Sequence, residues 1–314
     1  MDDLSYKGLR TLFLENELLR VGILLDKGAD VFQFLHKPTD TDFLWRSPQG
    51  LIPPNQARVT RESAAGPFLD TYHGGWQEIF PGGGPADYRG AELGLHGEVT
   101  HLGWQAEIIT DDPDQVAVRL SVDCLRTPFR LEKTLRLESG KPTLFIDECL
   151  TNLSPETLEF MWGHHPAIGA PFLKEGARVF IPSRTVQVHS PKFISSGRLE
   201  PGSEFPWPHA PSMNGSFDLS CLPGPDAGFG ELLYLKGLES GWYAVMDSEK
   251  KVGFCLTWPI DIFPYVWFWQ VYGRAPGYPW WDRAYVIALE PWTSIPNSLN
   301  AAIDQGSART IKGG

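Results

Sequence analysis

The chain has 314 residues and a formal net charge of −11. An acidic balance without a basic stripe argues against a nucleic-acid partner, because nothing is present to displace counterions from phosphates. No apolar run approaches the roughly 18 residues that a membrane-spanning helix needs, and Met1-Asp2-Asp3 lacks the basic and apolar regions of a secretory signal; the expectation is a cytoplasmic protein with no membrane partner.

The 32 glycines and 27 prolines are spread along the chain and interrupt helices, while 12 tryptophans raise the aromatic content. That composition predicts many short strands joined by turns, in one domain over residues 1–314. Cys124, Cys149, Cys221 and Cys255 are far apart and form no CxxC, so neither a zinc site nor a redox motif is indicated.

In chain order, strands are predicted at Thr11–Glu15, Leu18–Leu25 and Asp30–Leu35, separated by Glu15-Asn16, Lys27-Gly28 and Lys37-Pro38-Thr39-Asp40. From Val116 to Phe160 the alternation of apolar and polar residues is strict over Val116–Val122, Arg130–Leu137 and Leu144–Leu150. Such alternation suits antiparallel strands with one buried face. Further strands are expected at 177–188, 230–236, 242–247, 252–257 and 284–289, and no helix of ten or more residues. Residues 46–94 and 190–228 are rich in Gly, Pro and Ser without periodicity and read as loops that wall a site; Asp304–Gly314 reads as frayed surface.

No GxGxxG, GxxxxGK[ST], HExxH or GxSxG motif is present. Three segments place an ionisable residue among apolar or small neighbours: Leu95-His96-Gly97, Gly163-His164-His165-Pro166 and Leu289-Glu290-Pro291-Trp292. Glu290 is expected where a strand stops, because proline follows it, and His165 just past a strand, before a proline that restricts its backbone. Six tryptophans fall between Trp258 and Trp292, and indole rings stack on the apolar faces of sugars.

These three segments, in this order, resemble the aldose 1-epimerase (galactose mutarotase) family. The likeness extends over Gly28-Ala29-Asp30-Val31 near the start and Asn152-Leu153-Ser154-Pro155 before the doubled histidine. The resemblance implies a large twisted antiparallel β-sandwich with a monosaccharide cleft, an isomerase of carbohydrate metabolism that needs no cofactor and no metal. It implies Glu290 as base, His165 as acid and His96 as the residue that orients the sugar, with His164 a rival for the acid.

The sequence departs from the family at Ala167 and Ile168, where the family has tyrosine and phenylalanine. It also departs before His96, where Arg58, Arg61 or Arg89 would have to supply a guanidinium. Asp226, in Pro225-Asp226-Ala227-Gly228-Phe229, is what survives of the family's substrate-binding aspartate motif. Arg89, Asp226, Trp269, Gln270 and His164 are the expected substrate-binding residues.

Two other readings stay open at the level of sequence. A hexose-phosphate epimerase would need arginines converging on a phosphate, whereas Glu98-Val99-Thr100-His101 follows the His-Gly motif. A non-catalytic carbohydrate-binding protein on the same sandwich would not need an acid–base pair.

Overall fold

A computed structural model of the chain describes residues 4–53, 63–212 and 215–314. Arg58 and Arg61 lie outside them. The architecture is all-β and antiparallel, and the longest helix among the described residues is Leu299–Asp304. Among the described residues no helix is long and apolar enough to cross a membrane.

The chain forms two compact units, each assembled from separate stretches. The first comprises residues 1–42, 49–162 and 296–314. Its opening meander runs through Leu9–Glu15, Leu19–Leu24 and Asp30–His36, joined at its edge by Trp76–Ile79. Between the second and third of these strands the backbone turns at Gly28, whose φ is +66° and whose added Cβ would stand 2.8 Å from the Thr100 backbone, so only glycine fits. A second meander, Gln105–Asp111, Gln115–Asp123, Phe129–Glu138 and Leu144–Asn152, contains the three strands read from alternation. Its Gln105–Asp111 strand is exposed at nearly every position, which removes the alternation that sequence reading relies on.

The C-terminal stretch is not frayed: Arg309–Ile311 pairs with Leu158–Phe160. Short strands also interrupt the predicted loops, at Trp76–Ile79, Ala86–Tyr88 and Ala91–Leu93 in this unit and at Glu204–Pro206, His209–Ser212 and Gly215–Asp218 in the other. Runs of three or four residues carry too few apolar positions to show a period.

The alternation of Phe129–Glu138 points Lys133 to the same buried face as Leu131 and Leu135. Its ammonium is held 3.0 Å from Glu78, lies 4.5 Å over the Trp104 ring, and the other Glu78 oxygen accepts from Trp162 Nε1 at 3.0 Å. A lysine is tolerated there because a carboxylate and an indole face replace its water.

The second unit comprises residues 43–48 and 163–295. Its main sheet has the order Gly163–Gly169, Tyr285–Trp292, Tyr265–Tyr272, Phe229–Lys236, Thr185–Val188 and Glu204–Pro206, every neighbour antiparallel. A three-stranded sheet of Arg178–Phe180, Trp242–Asp247 and Val252–Thr257 completes it. The strands expected at 242–247 and 252–257 have those bounds, while 177–188 divides into two. Two expectations are corrected by this sheet: Glu290 is not at a strand end, because its strand continues through Pro291 to Trp292, and His165 lies inside a strand. Pro291 is accommodated opposite Val266.

Removing the ammonium from the first unit's buried pair should be costly, because the carboxylate loses its counter-charge where water cannot replace it. Lys133→Met is expected to destabilise the protein by about 3–5 kcal/mol in chemical denaturation, and Lys133→Met with Glu78→Gln should recover most of that loss.

Candidate active site

The strands Gly163–Gly169 and Tyr285–Trp292 run antiparallel with Gly163 opposite Trp292 and Ala167 opposite Ala288. The same register carried between those pairs sets His165 opposite Glu290, and residues directly opposite in an antiparallel sheet share a face. The side chains meet: His165 Nε2 lies 3.3 Å from Glu290 Oε1, with side-chain exposures of 7% and 2%. Because successive strand residues point to opposite faces, His164 is turned to the other side, where its ring packs edge-on against Phe263 at 5.7 Å. Of the doubled histidine, His165 is the one beside the carboxylate.

The indoles fix the pair in place. Trp292 Nε1 donates to Glu290 Oε2 at 3.0 Å, and the Trp292 ring stacks on Trp267 with centroids 4.1 Å apart. Trp267 in turn stands opposite Glu290 in the register and donates its Nε1 to Ser294 O at 2.9 Å. Gly163 has no side chain for a concrete reason: a Cβ there would sit 2.4 Å from the Trp292 ring. Trp269, on the same face one pair along, brings its ring to 5.7 Å from the His165 imidazole and to 6.1 Å from Trp45.

Burial sets the charge state. It raises the Glu290 carboxyl well above the usual carboxylate range, against the smaller opposing effect of the Trp292 N–H, and it pulls His165 down to about 4. Both directions favour the uncharged pair, with the single shared proton on the carboxyl and a neutral imidazole.

The other expected residues are placed as follows. Gln270 belongs to the opposite face of its strand from Trp267 and Trp269, paired with buried Glu231, so it is turned away from Glu290. Asp226 is exposed on the short 3-10 turn Pro225–Ala227. In the first unit, Arg89 is paired with Glu156 at 2.6 Å and Glu159 at 3.0 Å. Also in that unit, His96 has a left-handed backbone, φ +66°, and its ring meets Phe68 edge-on at 4.3 Å. Gly97, which follows at φ +71°, lies so close to Phe80 that a Cβ would be 2.3 Å from the Phe80 carbonyl oxygen.

Sequence reading missed the strand Tyr265–Tyr272, and with it the site position of Trp267. Both faces of that strand carry large apolar residues, so the alternation that marks a strand is hidden; the run of β-branched and aromatic residues was the available signal.

The sequence profile described as Domain of unknown function (DUF4432) matches residues 6–314. The chain belongs to that family. No curated protein matches the sequence. Among solved structures, the chain is similar to a candidate aldose 1-epimerase from Klebsiella pneumoniae, with TM-score 0.75 and 16% identity over 98% of this chain and 77% of that one. It is also similar to galactose mutarotase-like proteins from Clostridium acetobutylicum (TM-score 0.66, 16% identity, 99% and 94% covered) and Lactobacillus casei (TM-score 0.63, 16% identity, 97% and 96% covered). At these identities the likeness establishes the fold, an all-β sandwich of the galactose mutarotase-like type, as the sequence motifs implied.

The raised carboxyl has a consequence for stability. In the unfolded chain Glu290 ionises near its ordinary value of 4.5, whereas in the folded chain it holds its proton to higher pH. Folding stability contributed by this group is therefore full below pH about 4.5 and is lost as pH rises toward the folded value. Glu290→Gln, which cannot ionise, should melt at a higher temperature than the wild type at pH 8, the difference vanishing below pH about 4.5. Equal melting temperatures at pH 8 would show that the carboxylate is not buried.

Proposed function

We propose that the protein is an aldose 1-epimerase, interconverting the α and β anomers of a free sugar by acid–base ring opening. The observation that carries this reading is the 3.3 Å contact between His165 Nε2 and Glu290 Oε1 on a sheet face lined with indoles. The names carried by its structural neighbours support the same reaction.

Anomer exchange requires a proton to leave the O1 hydroxyl and another to reach the ring oxygen as the C1–O5 bond breaks. The aldehyde then rotates about C1–C2 and the ring closes on its other face. With the shared proton on His165, Glu290 is the base at O1 and His165 the acid at O5. After ring opening the carboxyl is protonated and the imidazole neutral, which is the arrangement that burial favours. Burial thus holds the free pair in the protonation state of the open-chain stage, and the closed ring reacts through the tautomer with the proton on His165. Closure reverses the two transfers and resets the pair. Each positioned group contributes about 10²–10⁴-fold. Trp269, beside His165, offers a face to the sugar's C–H surface.

The purified protein should accelerate the loss of optical rotation of freshly dissolved α-glucose or α-galactose, and Glu290→Gln should lower that rate about 10²–10⁴-fold while the fold persists. If a broad panel of free aldoses shows no acceleration, the protein binds carbohydrate without turning it over or acts elsewhere. The pH profile adds a sharper test. Activity needs one proton on the pair and is lost when a second binds, so the acid limb should fall near pH 4, the value to which burial pulls His165. An acid limb near the ordinary 6.5 would mean a solvent-exposed imidazole does the work.

A further inference from the structure

In the first unit, Glu98-Val99-Thr100-His101 follows the His-Gly motif and takes no part in anomer exchange. Glu98 and His101 line a cavity of about 820 Å³, together with residues from 63–67, 92–97 and 125–126. That size lies in the range of small-molecule sites, roughly 300–1,000 Å³.

The walls are braced by Glu98, which is only 7% exposed. One of its carboxyl oxygens accepts from Leu125 N at 2.8 Å and Arg126 N at 2.7 Å. The other accepts from Thr127 N at 3.1 Å and from Thr127 Oγ1 at 2.7 Å. A third wall is held by Leu95 N, which donates to Ala64 O at 2.8 Å. Glu98 thus ties two segments of the wall together, and with both oxygens occupied it offers the cavity no free acceptor. The shape is preformed.

Two charges remain open to it. Arg126 Nη1 donates to the backbone oxygen of Glu92, which leaves the rest of the five guanidinium N–H groups unused. The Glu92 carboxylate has no hydrogen bond or ion pair among the described residues, with Arg126 or with any other. Both side chains are exposed and both line the cavity. His101 adds no third charge near neutral pH, because loss of water around its ring and the nearby Lys27 ammonium draw it down to about 4. The rest of the lining includes Pro67, Leu93, Leu102 and Leu125, and Leu125 is 80% exposed.

A ligand with only a negative charge would be repelled by Glu92, and one with only a positive charge by Arg126; a neutral ligand would answer neither. The bond from Arg126 to the Glu92 backbone keeps both charges within reach of one small molecule. The complementary ligand has an ammonium for Glu92, a carboxylate for the guanidinium fork, and an apolar body for the leucines.

We propose that this cavity is a binding site of its own, sharing no residue with the His165–Glu290 pair, and that it takes a small zwitterion with an apolar body. Apolar amino acids and short peptides of such residues have that chemistry.

The test is titration calorimetry on the full chain with leucine, phenylalanine and leucyl-leucine, located by the methyl resonances of Leu93, Leu102 and Leu125. N-acetyl-leucine, which lacks the ammonium, and leucinamide, which lacks the carboxylate, are the matched probes. The zwitterions should bind and shift those methyls, and each analogue with one charge should bind about 10-fold more weakly than leucine, in line with one lost charge-assisted hydrogen bond. Glu92→Gln should weaken leucine by the same factor and leave N-acetyl-leucine unchanged. Arg126→Gln should weaken leucine and leave leucinamide unchanged, a coupling that a merely structural role would not produce. Tighter binding of leucyl-leucine than of leucine would identify a peptide as the occupant, and the reverse order an amino acid. Neither substitution should alter anomer exchange, so the outcome is independent of the epimerase reading.

If none of the three zwitterions shifts these methyls, the proposal fails. It fails equally if an analogue with one charge binds as tightly as leucine, or if Glu92→Gln and Arg126→Gln bind leucine like the wild type.

Discussion

The chemistry of this protein depends on the register between two adjacent strands. Because side chains alternate with a period of two, slipping Gly163–Gly169 by one residue against Tyr285–Trp292 would bring His164 opposite Glu290 and turn His165 to the far face. Packing on both sides opposes such a slip. On one side Trp292 lies over the bare backbone of Gly163 and stacks on Trp267. On the other, Ile168 is completely buried on the face of Leu289, Phe268 and Leu233, and a slip would turn it away from them.

The same sheet explains why a charged-looking pair can persist where water is scarce. Burying an isolated carboxylate costs far more than any single hydrogen bond returns, so the group keeps its proton instead. Glu290 does this beside His165, with Trp292 satisfying its second oxygen. The first unit solves the same problem differently: Glu78 is met by the Lys133 ammonium and by Trp162 Nε1. One buried carboxylate has a fixed cation and serves packing. The other has a partner that can itself take or give a proton, which is what proton transfer requires.

Membership of a family defined only as a domain of unknown function leaves the activity to be argued from the site. The structural likenesses extend over nearly the whole chain at 16% identity. That combination is expected when a sheet scaffold tolerates wide substitution on its buried face, provided volume and patterning are kept.

Much of the scaffold was legible in the sequence, for local reasons. Glycine and proline punctuate it, and period-two alternation marked Val116–Val122, Arg130–Leu137 and Leu144–Leu150 because each has one wet face. The three ionisable motifs were also legible, since an acid or imidazole between apolar residues is visible without coordinates. What the sequence left open was decided by pairing between distant segments. Only the strand register told His165 from His164, turned Gln270 away from Glu290, and aligned Trp267 with the pair. The face a strand residue occupies depends on which partner it meets, and that partner can lie more than a hundred residues away, beyond the reach of any local pattern.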